Sequence, residues 1–154
     1  MTTLDKLLET LRRLDKDRSE PGPEWKSVNE EWQADVHRLM DTLSAWLAPA
    51  RNQKLVEIER IQVVVSECEG DHYHADALRI IAPNGRFVEV VPKARRVFGA
   101  LGRVDVVSRQ GRALLARLAP NQWRFMWQDP AGGDWKDRPL DEDSFAETLR
   151  GMLA

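Results

Sequence analysis

The chain lacks the features that mark a disulfide-stapled, secreted or membrane-spanning protein. It has a single cysteine among 154 residues, so no internal disulfide can form. No apolar run approaches the roughly 20 residues that span a bilayer, and the first residues, MTTLDKLLET, lack the basic-then-apolar order of a secretory signal. These absences predict a soluble cytoplasmic protein without a membrane partner.

Length and composition predict one domain. A chain of 154 residues can bury about 70% of the surface that its unfolded form exposes, so a core can form without cross-links. We therefore expect a single domain over residues 1–154. The abundance of Arg and Ala is typical of a GC-rich bacterial genome.

Charge is unevenly distributed, although the net charge is only -2. Residues 72–124 carry 10 basic and 3 acidic groups, residues 1–71 carry 10 and 15, and residues 125–154 carry 3 and 7, which gives +7, -5 and -4. The basic middle would suit an acidic partner, or the acidic ends would balance it within the molecule. Composition leaves both alternatives open.

The first helix is predicted to be amphipathic and weakly tied to the rest of the domain. Leucines at helical spacing, with Thr2 and Asp5 as a capping box, predict a helix from about residue 3 to residue 18. A PGP joint at 21–23 leaves this 1–20 segment semi-detached, so it can lie on its own domain or pair with a second copy.

Two further helices are predicted from their terminal signals. One begins after Ser27 and ends near Pro49. The other begins at Asp141, where Leu140 and Phe145 occupy the positions of a hydrophobic staple.

Between these helices the apolar period changes from 3.6 to 2, which predicts strands. The most secure turn is PNGR, read as a two-residue type I′ hairpin turn, and RQGR and APNQ are weaker turn signals. The predicted fold is α+β and two-layered: two N-terminal helices, an antiparallel meander of five or six strands and one C-terminal helix. The strands are expected near residues 56–68, 73–82, 86–92, 103–108, 112–118 and 122–128.

The segment SECEGDHYHAD at 66–76 is the best candidate for a metal site. A two-residue loop, Gly70-Asp71, would set Ile61 opposite Ile80 and turn Cys68 to the other face, and apolar matching favours this register. A three-residue loop would instead set Cys68 opposite His72. The favoured register leaves two cross-strand pairs as candidate metal ligands: Glu67 with His74, and Glu69 with His72. These pairs stand side by side rather than converging, so a solvated hairpin tip without a metal is the favoured interpretation.

A basic loop and two isolated tryptophans are the candidate binding residues in the rest of the chain. Lys93, Arg95, Arg96 and Arg103, joined by Arg117, flank the loop KARRVFGALGR, which could meet a phosphate or an acidic surface. Trp25 and Trp135 stand in segments rich in Pro, Gly and charge, where a core has less reason to reach.

The sequence therefore favours a protein–protein interaction module of the adaptor, inhibitor or immunity type, without catalytic activity or a cofactor. The alternative is a small protein that binds nucleic acid or a phosphate ligand through the basic loop at 93–103. A metal-dependent enzyme is the third hypothesis. The residues expected to bind a protein partner, or a second copy through the first helix, are Leu4, Leu7, Leu11, Leu14, Trp25, Lys93, Arg95, Arg96, Arg103 and Trp135.

Overall fold

Helices and one antiparallel sheet form the part of the chain that the computed structural model describes, residues 2–19, 23–67, 70–95, 97, 99–128 and 132–154. The helices are α1 (Thr3–Ser19), α2 (Pro23–Trp46), α3 (Ala48–Asn52) and α4 (Glu142–Leu153). The strands are β1 (Glu57–Ser66), β2 (His72–Ile81), β3 (Phe87–Ala94), β4 (Arg103–Ser108), β5 (Gly111–Ala119), β6 (Gln122–Gln128) and β7 (Trp135–Pro139).

The strands follow one another across a 7-stranded antiparallel sheet in chain order, β1 to β7. The predicted α+β class with an antiparallel meander is confirmed, but the sheet has one strand more than expected. That strand is β7, whose residues none of the predicted strands included. Its sequence, WKDRP, has no apolar alternation, and all of its residues are exposed. Because it is held by backbone pairing to β6, its side chains give no signal of a strand.

Helix α2 begins earlier than its sequence indicates. We expected it to begin after Ser27, whereas it begins at Pro23. Proline is tolerated in the first turn of a helix, because the N–H that it lacks would have no partner there. Among the described helices, none is both long and apolar enough to cross a membrane.

The hydrophobic core lies between the helices and one face of the sheet, which gives two layers. Side chains alternate between the faces of a strand, so every second strand residue joins the core. The buried members from the helices are Trp32, Val36, Leu39, Met40, Leu43, Phe145, Leu149 and Met152. Those from the strands are Leu78, Ile80, Val88, Val90, Val104, Val106, Leu115, Trp123 and Phe125.

The predicted register of the first hairpin is wrong. Ser66 lies opposite His72 and Ile61 opposite Ala77, whereas we expected Ile61 to lie opposite Ile80. The matching of large apolar side chains between β1 and β2 was misleading, because Ile80 faces the helices while Ile61 shares the other face with small alanines. The expected pair of Glu67 with His74 is therefore not formed, since Val64 lies opposite His74. The expected pair of Glu69 with His72 involves a residue that lies outside the described ranges.

The second hairpin turn also differs from its prediction. Ala82 donates its N–H to the Arg86 carbonyl at 2.8 Å, so residues 83–85 form a loop longer than the expected two-residue turn. Gly85 supplies the positive φ that this loop needs. The turns expected at RQGR and APNQ are confirmed, since Ser108 pairs with Gly111 and Ala119 pairs with Gln122.

The C-terminal helix begins as predicted. Asp141 caps it, because its carboxylate accepts the Ser144 N–H at 2.7 Å and the Ser144 hydroxyl accepts the Asp141 N–H at 2.9 Å. Leu140 and Phe145 both pack in or against the core. A capping pair and a staple, both local features, thus fix where α4 begins.

Replacement of Gly102 tests how closely α2 approaches the sheet. A Cβ atom at this position would lie 2.2 Å from the Trp32 ring, so Gly102→Ala should force the ring out of place and lower the free energy of unfolding by about 1–3 kcal/mol. Urea unfolding would measure this loss. In the control, Gly111→Ala, the added methyl group meets open space. Equal stability of the two variants would contradict the close approach.

Candidate interaction surfaces

Helix α1 presents a row of leucines to solvent. Its capping box is confirmed, because the Asp5 N–H donates to the Thr2 hydroxyl and the Thr2 N–H donates to the Asp5 carboxylate, each at 3.1 Å. The bond from the Thr2 backbone lowers the pKa of Asp5. No described strand or other helix makes more than marginal contact with α1. The exposed fractions are 62% for Leu4, 52% for Leu7, 40% for Leu8 and 49% for Leu11.

The other predicted partner-binding residues are spread over the molecule. Leu14 and Trp25 belong to α1 and α2, but their side chains lie outside the described residues. Trp135 is 58% exposed on the edge strand β7, where it pairs with Gln128. Trp135 is therefore accessible, but no described contact joins it to the α1 leucines.

The described members of the basic group at 93–103 do not form one charged patch. Lys93 is exposed at the end of β3, while Arg96 lies outside the described residues. Arg103 is held by Asp105, to which its guanidinium donates at 2.8 and 3.2 Å. Asp105 is almost completely buried, so Arg103 serves as its counter-charge within β4.

Arg95 is part of a buried polar network rather than of a surface. Its guanidinium donates to Asp71 at 2.6 Å and to Asn29 at 3.3 Å, and it lies 5.8 Å from the centre of the Tyr73 ring. Its backbone N–H donates to the Glu67 carboxylate at 2.8 Å. Arg95 thereby connects the end of β3 to the first hairpin and to α2.

Tyr73 completes this network, which we call the Tyr73 network. Its hydroxyl donates to Glu67 at 2.6 Å and accepts the indole N–H of Trp32 at 2.7 Å. Burial and the Glu67 carboxylate raise the pKa of Tyr73, so the phenol keeps its proton at neutral pH. A phenol held in this way serves as a fixed hydrogen-bond donor.

A second buried polar centre lies between α2 and β5. Asp35 is fully buried, and its carboxylate accepts from Arg117 at 2.5 Å, from the Asn121 N–H at 2.9 Å and from Arg38. Arg117 also donates to Glu31 and to the Leu101 carbonyl, each at 3.3 Å. Asp35 was not among the predicted site residues, although a carboxylate on the apolar face of a predicted core helix is itself a signal.

The environment of Asp35 favours its charged form. Burial by itself would raise the pKa of Asp35, but the bonds from the Asn121 N–H, Arg38 and Arg117 outweigh it and hold the pKa below its usual range. Arg117 is nearly as buried as Asp35. Each of the two buried charges is therefore stabilised by the other.

A third polar cluster, also missed from sequence, joins α2 to the first hairpin near the surface. His37 bonds through Nδ1 to Asp76 at 2.5 Å, and Arg60 donates to Asp41 at 2.7 Å and to Asp76 at 3.1 Å. Burial raises the pKa of Asp76, but bonds from His37, Gln62 and Arg60 lower it below its usual range. Its members come from three elements, so no local pattern identifies them.

The described candidates for a metal site do not form one cluster. Glu67 is buried in the Tyr73 network, whereas His72 and His74 are exposed. Glu69 and Cys68 lie outside the described residues. Within the described ranges, no group of three or more His, Cys, Asp or Glu side chains is placed to hold a metal ion.

Asp35→Asn tests the buried ion pair and its pH dependence. At pH 7 it should lower the free energy of unfolding by about 3–5 kcal/mol, because Arg117 loses its buried counter-charge. The folded-state pKa of Asp35 is lowered, so its contribution exists above the unfolded pKa of about 3.9 and disappears as the pH falls through the folded pKa. The difference between wild type and variant should therefore shrink below about pH 4. Chemical denaturation at several pH values would measure it.

The control for this experiment is Asp134→Asn, which alters an exposed carboxylate. It should change the unfolding free energy by no more than about 0.5 kcal/mol. A wild-type-to-Asp35→Asn difference that stays constant from pH 7 to well below pH 4 would contradict the proposed role of the charge.

Tyr73→Phe tests the Tyr73 network. The variant keeps the ring but leaves Glu67 and the Trp32 indole without their bonds to the hydroxyl, so we expect a loss of about 1–3 kcal/mol in urea unfolding. Ser66→Ala removes an exposed hydroxyl from the neighbouring strand and serves as the control. A loss no larger than that of the control would show that the network adds no stability.

Comparison with known proteins adds no assignment to these surfaces. No family model matches the chain, and no curated protein or solved structure is significantly similar to it.

Proposed function

We propose that this protein is a protein–protein interaction module whose principal contact surface is the leucine row of α1. The observation that carries the proposal is the exposure of Leu4, Leu7, Leu8 and Leu11 on a helix without a packed neighbour among the described elements. Burial of such a row under a partner removes apolar surface from water and lowers the free energy. We infer an apolar groove on the partner, which receives one face of α1.

The polar clusters support binding rather than catalysis as the proposal. The described buried carboxylates Asp35, Glu67 and Asp105 each accept hydrogen bonds from groups of the same chain. The bonds of Asp35 and Glu67 join different secondary-structure elements, and the bond of Asp105 pairs it with Arg103 within β4. These contacts are sufficient to explain the presence of the buried charges. The described leucine side chains of α1 have no comparable role among the described contacts.

Binding of nucleic acid through residues 93–103 has less support. Phosphate contacts require guanidinium or ammonium groups that face solvent. The guanidinium of Arg95 is buried beside Asp71, and that of Arg103 is bound to Asp105. Lys93 is the one exposed basic side chain among the described residues of this loop, and one lysine is a weak electrostatic footprint.

Two leucine substitutions test the proposal. Leu7→Gln combined with Leu11→Gln should leave the body folded, because these side chains are exposed. Burial of each leucine contributes about 1.5–3 kcal/mol, so the double variant should bind the partner roughly 100-fold or more weakly. The partner would be captured with the full-length chain, identified, purified and then titrated calorimetrically.

The matched control carries Glu9→Gln and Arg12→Gln. It also introduces two glutamines into α1, but on the polar side of the helix. Circular dichroism would verify that both double variants keep their helical content. Retention of full partner affinity by the leucine variant, or equal losses in the two variants, would refute the leucine row as the contact surface.

A further inference from the structure

The two edges of the sheet differ in how they are guarded against pairing with another strand. Strand β7 has 5 residues, contains Lys136, Asp137 and Arg138 in succession, and ends at Pro139. Short length, charge and proline are devices by which proteins prevent edge pairing. Strand β1 has 10 residues, and after Arg60 it carries the uncharged run IQVVVS, in which most residues are β-branched. This edge has none of the devices found on β7 over residues 61–66.

The outward backbone groups of β1 can be assigned from the hairpin. The Glu67 N–H donates to the Asp71 carbonyl at 2.7 Å, so these two residues form a hydrogen-bonded pair of the ladder. Such pairs recur at every second residue of an antiparallel ladder. The N–H and C=O groups of Gln62, Val64 and Ser66 therefore point away from β2, towards the open edge.

No described element covers these groups. Strand β1 is the first in the sheet order and pairs with β2 alone among the described strands. The side chains of Gln62 and Ser66 are exposed, and Val64 is 61% exposed. Backbone groups and an apolar side chain are thus both available to an added strand.

We propose that this edge is an interface between two copies of the chain, in which residues 61–66 of one copy pair antiparallel with residues 61–66 of the other. An antiparallel pair of identical strands is self-complementary, as a two-fold interface requires. The resulting assembly is one continuous sheet, with the helices of both copies on the same face. This interface goes beyond the α1 surface and uses different residues.

The absence of charge in residues 61–66 favours a second copy as the partner and limits how the two strands align. An uncharged edge accepts an uncharged strand without burying an unpaired charge, and residues 61–66 are such a strand. Aligned on itself, this run brings Val63 or Val64 to the two-fold axis and leaves Glu57, Glu59 and Arg60 outside the central pairs. A shift towards the start of β1 would bring the two copies of Glu59 together, and like charges opposite each other are destabilising.

The substitution Val64→Lys tests the interface. It places like charges near the two-fold axis, so the dissociation constant of the dimer should rise at least about tenfold. Sedimentation equilibrium of the full chain over a range of concentrations would measure this constant. The matched control is Leu118→Lys on β5, an inner strand, where an exposed leucine is replaced and the dimer should persist. The variant Leu7→Gln/Leu11→Gln should also remain dimeric, which separates this proposal from the α1 proposal.

Cysteine cross-linking provides a second readout that does not depend on the stability of a lysine variant. The cross-linking variants are made in a Cys68→Ser background. With Val63 at the two-fold axis, residue 62 lies opposite residue 64, so a mixture of Gln62→Cys chains and Val64→Cys chains should form an intermolecular disulfide under mild oxidation. With Val64 at the axis, the Val64→Cys chain alone should form it. Directly opposite residues have Cα atoms about 5.5 Å apart, which is within disulfide range. The Glu57→Cys chain should not cross-link. A protein that is monomeric up to about 1 mM, or a dimer unaffected by Val64→Lys, would overturn the proposal.

Discussion

The ion pair between Asp35 and Arg117 fixes how α2 lies on the sheet. Both side chains are almost completely removed from solvent, so neither could remain charged there without the other. The same carboxylate binds the N–H of Asn121, in the turn between β5 and β6. Next to this centre, Trp32 approaches Gly102 so closely that only glycine fits. A buried charge pair and a close ring contact together place the helix, and the apolar core fills the space that remains.

The ion pairs also bear on the uneven charge distribution along the chain. The basic middle segment contains Arg95 and Arg117, and both of them pair with carboxylates that precede it in sequence, Asp71 and Asp35. Arg103 pairs within its own strand, with Asp105. For these arginines, intramolecular compensation replaces the acidic partner that composition alone would allow. Their positive charge therefore contributes to the tertiary structure more than to an external field.

Two surfaces have no comparable intramolecular role among the described residues. The row of leucines on α1 offers apolar side chains, whereas the outer edge of β1 offers backbone donors and acceptors next to β-branched residues. The physical requirements of the two surfaces differ, since one needs a groove and the other needs a strand. Under the two proposals, the molecule binds a copy of itself and a different protein through separate residues.

Local patterns in the sequence determined the elements of this protein, and the tertiary structure decided what lies together. The leucine spacing of α1, the alternation along β1 to β6 and the Asp141 cap are short-range properties, and they predicted most helix and strand positions. The register of β1 against β2 depends instead on which face of β2 the helices cover, and Ile80 lies on that face. Strand β7 depends on pairing with β6. Neither property is encoded in the local pattern. Likewise, Arg95 has the same local sequence whether it faces a ligand or Asp71. Burial and ion pairing join residues that are distant along the chain, so only the folded chain decides whether a charge serves the core or the surface.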